Sequence, residues 1–259
     1  MKNIEIKDVN AGNVRDLINL CIPLEKREDE LFIEGTKVKE SWAMQVMKRY
    51  GSFAKLAYLG QKPVGMIQYL PKPEEKLIEI TCIFVPDEEN LRKGIGRMLL
   101  NALIEEAKEP KPYFENENPY ALVTWAFQVP EMYPQHEFYK KMGFRQVREE
   151  NPFLLYYPLK EGYIYTPKEY SPQEEDKGKA LIFYDPACPF SVYFTEKIKE
   201  NLREVAPDIP IRVIDQFEEA EEVRKRGKIS FCIVNQRPIE SFLLDKENFQ
   251  NEVKEALRK

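Results

Sequence analysis

The sequence predicts an α/β (α+β) fold in two domains, a larger one followed by a smaller one. Strand-type and helix-type segments follow the order β-α-α-β-β-β-α-β-α-β up to residue 158. Residues 159–178 predict a linker, because they are rich in Pro, Lys, Glu and Tyr and show no sustained period. A second series, β-α-β-α-β-β-α, fills residues 179–259. A chain of 259 residues is long enough for two domains that each bury a core.

Composition argues against several classes of partner and site. The net charge of −5 and the pI of about 5.4 argue against nucleic acid as the main partner. No apolar run approaches the ~20 residues of a membrane span, and the charged start lacks the apolar core of a secretory signal. We therefore expect a cytoplasmic protein with no membrane partner. Four scattered cysteines and a single histidine predict neither a metal site nor a disulfide scaffold. For that histidine, His136, we expect a solvated or capping role at the start of a helix.

The elements of the first domain follow from local patterns along the chain. Residues 3–8 alternate as a strand, and residues 13–22 place apolar side chains on one helical face. A connection rich in Glu and Lys leads to a helix from Lys37 to Tyr50. Residues 54–59 and 63–70 predict a hairpin. The remaining predictions are a strand at 78–85, a helix from 95, a strand at 121–129, a helix centred on 138–139, and strands at 144–147 and 153–157.

The stretch from Leu77 to Lys108 carries the clearest chemical signal. A strand ends at Pro86, and a basic turn with Gly94 and Gly96 then leads into a helix with one apolar face. Free N–H groups and the positive end of the helix dipole favour an anion at such a turn. The turn also carries three cations, which are Arg92, Lys93 and Arg97. A plain strand-to-helix connection is the alternative, because Gly-x-Gly alone is a weak signal. The dinucleotide-binding and Walker patterns do not fit this turn.

This turn resembles motif A of the GNAT acetyltransferases, whose pattern is Gln/Arg-x-x-Gly-x-Gly/Ala, with Leu91 at the first position here. A second match is the run from Phe138 to Phe144, FYKKMGF, which resembles that family's Phe-Tyr-x-Lys-x-Gly-Phe signature. The resemblance covers residues 1–158. It implies a mixed, mostly antiparallel sheet flanked by helices, and a loop that holds the pyrophosphate of acetyl-CoA. The implied contacts of the cofactor are Phe84, Val85, Arg92, Lys93, Gly94, Ile95, Gly96 and Arg97.

The resemblance also implies transfer of an acetyl group to a small-molecule or peptide amine, by direct attack on the thioester. In several members the general base is a Glu at the position of Glu79, although a Glu in an alternating strand can also simply face solvent. Tyr139 matches the residue thought to protonate the departing thiolate, and packing in the core is its alternative role. Met132 stands where the family often has asparagine, so no CoA contact is predicted there.

The second domain begins with a buried strand at 180–184 and a turn carrying Cys188 before a helix. A strand at 209–214, a helix at 218–226 ended by Gly227, a hairpin of 229–234 with 239–244, and a helix at 247–257 follow. The runs at 218–222 and 225–228 predict a solvated charged face. This order is similar to the thioredoxin fold, and the combination resembles GNAT proteins that carry a YoaP-like C-terminal domain.

Cys188 defines the alternative function. A helix N-terminus should lower the pKa of this thiol, and the motif Cys188-Pro-Phe-Ser resembles monothiol glutaredoxin-like proteins. The chain would then be a redox or thiol-binding protein, with the first domain as a CoA-binding regulator. A binding protein without chemistry is a third possibility. The smaller domain could equally serve binding or formation of a homodimer.

Overall fold

The structure is a computed structural model that describes residues 4–126, 133–227 and 229–258. The chain divides into two compact units, Met1–Cys21 with Ala43–Thr166 and Ile22–Trp42 with Pro167–Lys259. Nothing in the sequence indicated that residues 22–42 group with the second unit. The boundaries 158 and 178 remain predictions. No described helix is both long and apolar enough to cross a membrane.

The first unit contains a seven-stranded sheet in the order β1-β2-β3-β4-β5-β7-β6. Only β4 and β5 run parallel, so the sheet is mixed and mostly antiparallel, as predicted. Its strands are β1 Ile4–Asp8, β2 Ala54–Leu59, β3 Lys62–Lys72, β4 Leu77–Phe84, β5 Ala121–Trp125, β6 Arg145–Arg148 and β7 Asn151–Pro158. Asn3, residues 127–129 of the predicted fifth strand, and Met132 lie outside the described residues.

The helices up to residue 141 carry the apolar stripes that the sequence predicts. The helices are α1 Val14–Cys21, α2 Glu30–Tyr50, α3 Ile95–Ala107 and α4 Gln135–Lys141. Helix α3 buries Ile95, Leu99 and Leu103 against the isoleucines of β4. Helix α2 is divided between the units after Trp42. It begins seven residues before the predicted Lys37, because Asp29 caps it by accepting a hydrogen bond from the Leu31 amide at 3.0 Å.

The second unit has a four-stranded sheet in the order β11-β10-β8-β9, in which only β8 and β9 are parallel. Its elements are β8 Ala180–Tyr184, α5 Ser191–Val205, β9 Ile211–Asp215, α6 Ala220–Arg226, β10 Cys232–Val234, β11 Arg237–Pro238 and α7 Lys246–Leu257. Each of these elements occurs in the predicted order. One core cluster includes residues of α5 and α7, and a second includes Leu181, Phe183 and Ile214. The two clusters therefore cover opposite faces of β8.

The strand predicted over residues 239–244 is wrong. Asn235 and Gln236 form the turn with φ angles of 46° and 66°, but the returning strand ends at Pro238. Beyond it the carboxylate of Glu252 in α7 accepts hydrogen bonds from the amides of Glu240, at 2.7 Å, and Ser241, at 3.1 Å. A side chain thus takes the place of a ladder partner, which the sequence pattern does not show.

The prediction of a solvated charged face fails at Arg226, which is fully buried. Its Nε and Nη2 atoms donate to the carboxylate of Asp176 at 2.7 and 2.6 Å, and Nη1 donates to the Glu222 carbonyl at 2.7 Å. Asp176 is only 1% exposed. The amide of Ser171 also donates to the Arg226 carbonyl at 2.8 Å. The end of the predicted linker is therefore fastened to the second unit by a buried ion pair.

Candidate active site

Strands β4 and β5 separate before β4 ends. They pair in parallel from Leu77 with Ala121 to Ile80 with Thr124, whereas β4 continues to Phe84 and stays paired with β3 on its other side. The Thr124 hydroxyl donates to the Ile80 carbonyl at 3.1 Å, at the last pair before the strands part. Among the described residues, no strand pairs with Thr81–Phe84 on the β5 side. This edge offers backbone N–H and C=O groups to an extended ligand.

A β-bulge lies at the point of separation. Gln68 pairs with Cys82 and Tyr69 with Ile80, so Thr81 is the extra residue in β4. Ile80 and Ile83, three positions apart, consequently face the same core cluster, although a regular strand would place residues two apart on one face. The Gln68 side chain donates to the Thr81 hydroxyl at 2.9 Å and holds the bulge. The sequence analysis missed this feature, because a bulge depends on the partner strand.

The glycine turn opens directly onto the N-terminus of α3. Gly94 is the N-cap with φ 80°, Arg92 has φ 59°, and no side chain caps the helix. A Cβ atom at Gly94 would meet no atom within 4 Å, and one at Gly96 would lie 3.6 Å from Phe138, an ordinary contact. Packing within the protein therefore leaves room at both positions. Uncapped N–H groups beside open space at the positive helix end form an anion-binding geometry.

Gly65 sets the distance between β3 and this turn. A Cβ there would lie 2.9 Å from the Ile95 side chain and 3.1 Å from the Val85 side chain, so only glycine allows this approach. Ile95 begins α3 and Val85 follows β4, and Gly65 thereby positions both sides of the turn. The sequence analysis missed this residue. An isolated glycine in a strand pattern was the available signal.

The cations of the turn differ in their partners. Arg92, Lys93 and Arg97 are all exposed, and within the described ranges neither Arg92 nor Arg97 forms an ion pair. Lys93 donates to the side chain of Asn90 at 3.3 Å, and Asn90, only 3% exposed, donates to Asp87 at 3.4 Å. The two arginines thus remain available to an anion, while the lysine is tied to the preceding loop.

Glu79 lies one residue before the separation of the strands. Its neighbours Ile78 and Ile80 face the core cluster beneath α3, so the Glu79 side chain lies on the other face of the sheet. Its carboxylate pairs with the Lys72 ammonium at 2.9 Å, and the side chain is 37% exposed. Burial, with the charges of Glu75 and Glu79, raises the pKa of the Tyr165 phenol, which places that ring near the same face.

Tyr139 lies on the opposite face, in the core cluster that contains Ile80. It is 1% exposed, and its ring centroid lies 4.9 Å from that of Phe144. Burial raises the pKa of its phenol well above the usual value, and a hydrogen bond with Thr124 acts in the opposite direction. Glu79 and Tyr139 therefore flank the separation from its two sides.

The sequence analysis also singled out His136 and Cys188. His136 is neither solvated nor a cap: Pro134 is the N-cap of α4, and the imidazole packs edge-on against Phe153 at 5.5 Å. Cys188 is half-buried between β8 and α5, and its amide donates to the Asp185 carbonyl at 3.3 Å. Cys232 is fully buried, which raises the pKa of its thiol. Among described residues, no group of three or more His, Cys, Asp or Glu side chains forms a metal-binding cluster.

Comparison with known proteins finds one matching family model. Residues 19–144, slightly less than half of the chain, match the model of the acetyltransferase (GNAT) family. The PaiA N-acetyltransferase of Thermoplasma acidophilum, solved with coenzyme A, is 15% identical, with 60% of this chain and 99% of that chain covered and a TM-score of 0.45. A GNAT acetyltransferase of Staphylococcus aureus Mu50 is 19% identical, with coverages of 61% and 100% and a TM-score of 0.43.

The lengths of the similar proteins differ. Against a protein of Pyrococcus horikoshii the identity is 18%, the TM-score is 0.41, and the aligned part covers 56% of this chain. The chain spans only 44% of the length of that protein. No curated protein matches the sequence.

Proposed function

We propose that this chain, which carries a GNAT acetyltransferase domain over residues 19–144, moves an acetyl group from acetyl-CoA to an amine. The observation that carries the proposal is the continuity of two binding features. Beyond Ile80, where the described pairing with β5 ends, β4 leads past Val85 to an uncapped helix N-terminus with glycines. Arg92 and Arg97 at this turn form no ion pair within the described residues. An extended, amide-containing arm that ends in a pyrophosphate has the matching sequence of groups.

The residues of the turn fit such a cofactor. The N–H groups from Gly94 to Arg97 would hold the pyrophosphate, and the guanidinium groups of Arg92 and Arg97 would pair with its charge. Backbone groups of Phe84 and Val85 would hold the pantetheine arm. The open space at Gly94 supports this assignment, because a ligand can reach the backbone there.

Acetyl transfer forms a C–N bond as the C–S bond of the thioester breaks. We assign to Glu79, or to a water that it orders, the removal of a proton from the amine. Its partial exposure lets a proton pass from it to solvent. We assign to Tyr139 the protonation of the thiolate from the opposite face. Tyr139 keeps its proton at neutral pH, the form that a proton donor needs, and burial, which raises the pKa of this phenol, makes it a weaker acid than an exposed tyrosine.

Calorimetric titration with acetyl-CoA tests the binding step. Gly94→Glu places an anion where the pyrophosphate would lie, and we expect affinity to fall by about 100-fold or more, as like charges repel at close range. Gly162→Glu is the matched control, since Gly162 has φ 72° and also no atom within 4 Å of a Cβ. Unchanged affinity in Gly94→Glu, or equal losses in the two variants, would contradict the assignment.

The acceptor is proposed only as a small-molecule or peptide amine. An amine library, screened by release of the CoA thiol, tests this class. If acetyl-CoA binds but no amine is turned over, the chain is a CoA-binding protein without transfer activity.

For the second unit we propose a thioredoxin-like, YoaP-like domain. The strand order β9-β8-β10-β11 supports this proposal, as does the parallel pairing of β8 with β9, the first two strands of the unit. The alternative of a redox or thiol-binding protein acting through Cys188 stays a prediction from the sequence. A cytoplasmic location and a homodimer stay predictions from the sequence.

A further inference from the structure

The second unit holds a segment from the early part of the chain. Residues Ile22–Trp42 belong to this unit, and the first half of α2 lies within them. Phe32, Gly35, Lys39 and Trp42 are spaced by three, four and three residues and therefore share one helical face. All four are buried, with Phe32 at 2%, Lys39 at 1% and Trp42 at 3% exposure.

This face packs on the loop that carries Cys188. The Phe32 ring meets Phe190 edge-on at 5.0 Å and Tyr193 at 5.4 Å. A Cβ atom at Gly35 would lie 2.0 Å from the carbonyl oxygen of Pro189, so the helix backbone rests directly on the residue after Cys188. Trp42 extends the contact to Phe217 at 6.3 Å.

Gly35 shows that the sequence is fitted to this contact. Glycine is among the weakest helix formers, and position 35 lies inside a regular helix. Its backbone is not in the left-handed region, so its conformation does not require glycine. What does require it is space, because any side chain would collide with the Pro189 backbone.

We propose that the second unit is a docking module whose ligand is the chain's own segment 22–42, and that the docked helix shields the Cys188 thiol. Pro189 and Phe190, the two residues after Cys188, are covered by Gly35 and Phe32. On this proposal, a bulky thiol substrate or reagent reaches Cys188 from this side only after the helix leaves. The proposal does not depend on acetyl transfer.

Alkylation of each cysteine by N-ethylmaleimide, followed by peptide mass spectrometry of the full chain, tests the proposal. In Phe32→Ala and in Gly35→Ala we expect the Cys188 rate to rise about tenfold, which corresponds to about 1.4 kcal/mol of lost docking free energy. Lys37→Ala, on the exposed face of the same helix, is the matched control and should leave the rate unchanged. Cys82, in the first unit, is an internal control.

Cys232 reports whether the second unit stays folded, because it is fully buried in that unit's core. The proposal requires Cys188 to react faster while Cys232 stays unreactive. A Cys188 rate that is the same in all variants would overturn it. A parallel rise of Cys188 and Cys232 would also overturn it, since the helix would then be an inseparable part of the folded core.

Discussion

Arg226→Met should strongly destabilise the second unit. The change removes the guanidinium that donates two hydrogen bonds to Asp176, at 2.7 and 2.6 Å, and leaves this carboxylate at 1% exposure without its countercharge. Breaking a buried pair on one side costs about 3–5 kcal/mol, whereas an exposed pair contributes about 0.2–1 kcal/mol. The matched control is Lys246→Met, since Lys246 pairs with Glu204 at 2.7 Å with both side chains about half exposed.

Urea unfolding followed by tryptophan fluorescence measures the effect. The chain has two tryptophans, Trp42 in the second unit and Trp125 in the first, so a Trp125→Phe background reports the second unit alone. With a urea dependence of about 1–3 kcal/mol/M, the midpoint should fall by roughly 2 M in Arg226→Met. It should move by well under 1 M in Lys246→Met.

A double change separates the lost countercharge from lost packing. Asp176→Leu combined with Arg226→Met removes both charges and should recover most of the midpoint, because an apolar pair of similar volume is often as stable as a buried ion pair. The reasoning is refuted if Arg226→Met shifts the midpoint no more than Lys246→Met does. It is also refuted if the double variant is less stable than the single one.

Three further outcomes are expected. Gly65→Ala should lower acetyl-CoA affinity, because the added Cβ would lie 2.9 Å from the Ile95 side chain and displace the start of α3. Calorimetry checks this, and unchanged affinity would show that Gly65 does not position the turn. Tyr139→Phe should reduce turnover of an accepted amine about 100-fold, the scale of one acid–base group, with acetyl-CoA affinity unchanged; full activity would assign the tyrosine to the core alone. The cluster of Lys55, Asp8 and Glu106 should stabilise the first unit over a pH range that ends where Glu106 is protonated on the acidic side and where Lys55 loses its proton on the alkaline side. Burial alone would raise the pKa of Glu106, but Lys55 and Lys111 lower it overall, so its stabilisation is present above pH 4.5 and is lost as pH falls through the lowered pKa. Burial alone would lower the pKa of Lys55, but Asp8 and Glu106 raise it overall, so its stabilisation is present below pH 10.5 and is lost as pH rises further. In Glu106→Gln, the melting temperature should depend less on pH at both ends of this range. A curve of melting temperature against pH that runs parallel to that of the unchanged protein would contradict this.

The sequence predicted the features that are encoded locally. The glycine turn and the apolar stripe of α3 depend on neighbouring residues, so pattern alone indicated them. The bulge at Thr81 and the early end of the β4–β5 pairing depend on which strand lies alongside, and no local pattern reports that. Gly65 was visible as an isolated glycine in a strand pattern, but its role depends on the Ile95 and Val85 side chains that pack against it.

The sequence analysis missed the place of segment 22–42 in the second unit and the burial of Arg226 for a related reason. The face of α2 that carries Phe32 and Gly35 includes a glycine and a lysine, so it does not look apolar, and its partners Phe190 and Phe217 lie far along the chain. Arg226 stands in a run of charges that resembles any solvated helix end. Its burial follows only from the position of Asp176, fifty residues earlier.

The part of β4 that pairs with no described strand on the β5 side also bears on self-association. A strand edge with unpaired N–H and C=O groups is a template on which another chain can add a strand. Here the edge extends only from Thr81 to Phe84, and it begins at a bulge that bends the strand and increases its twist. A flat strand from a second molecule would find few hydrogen bonds in register there. The bulge at the point where β4 and β5 part is thus also a feature that disfavours edge-to-edge association there.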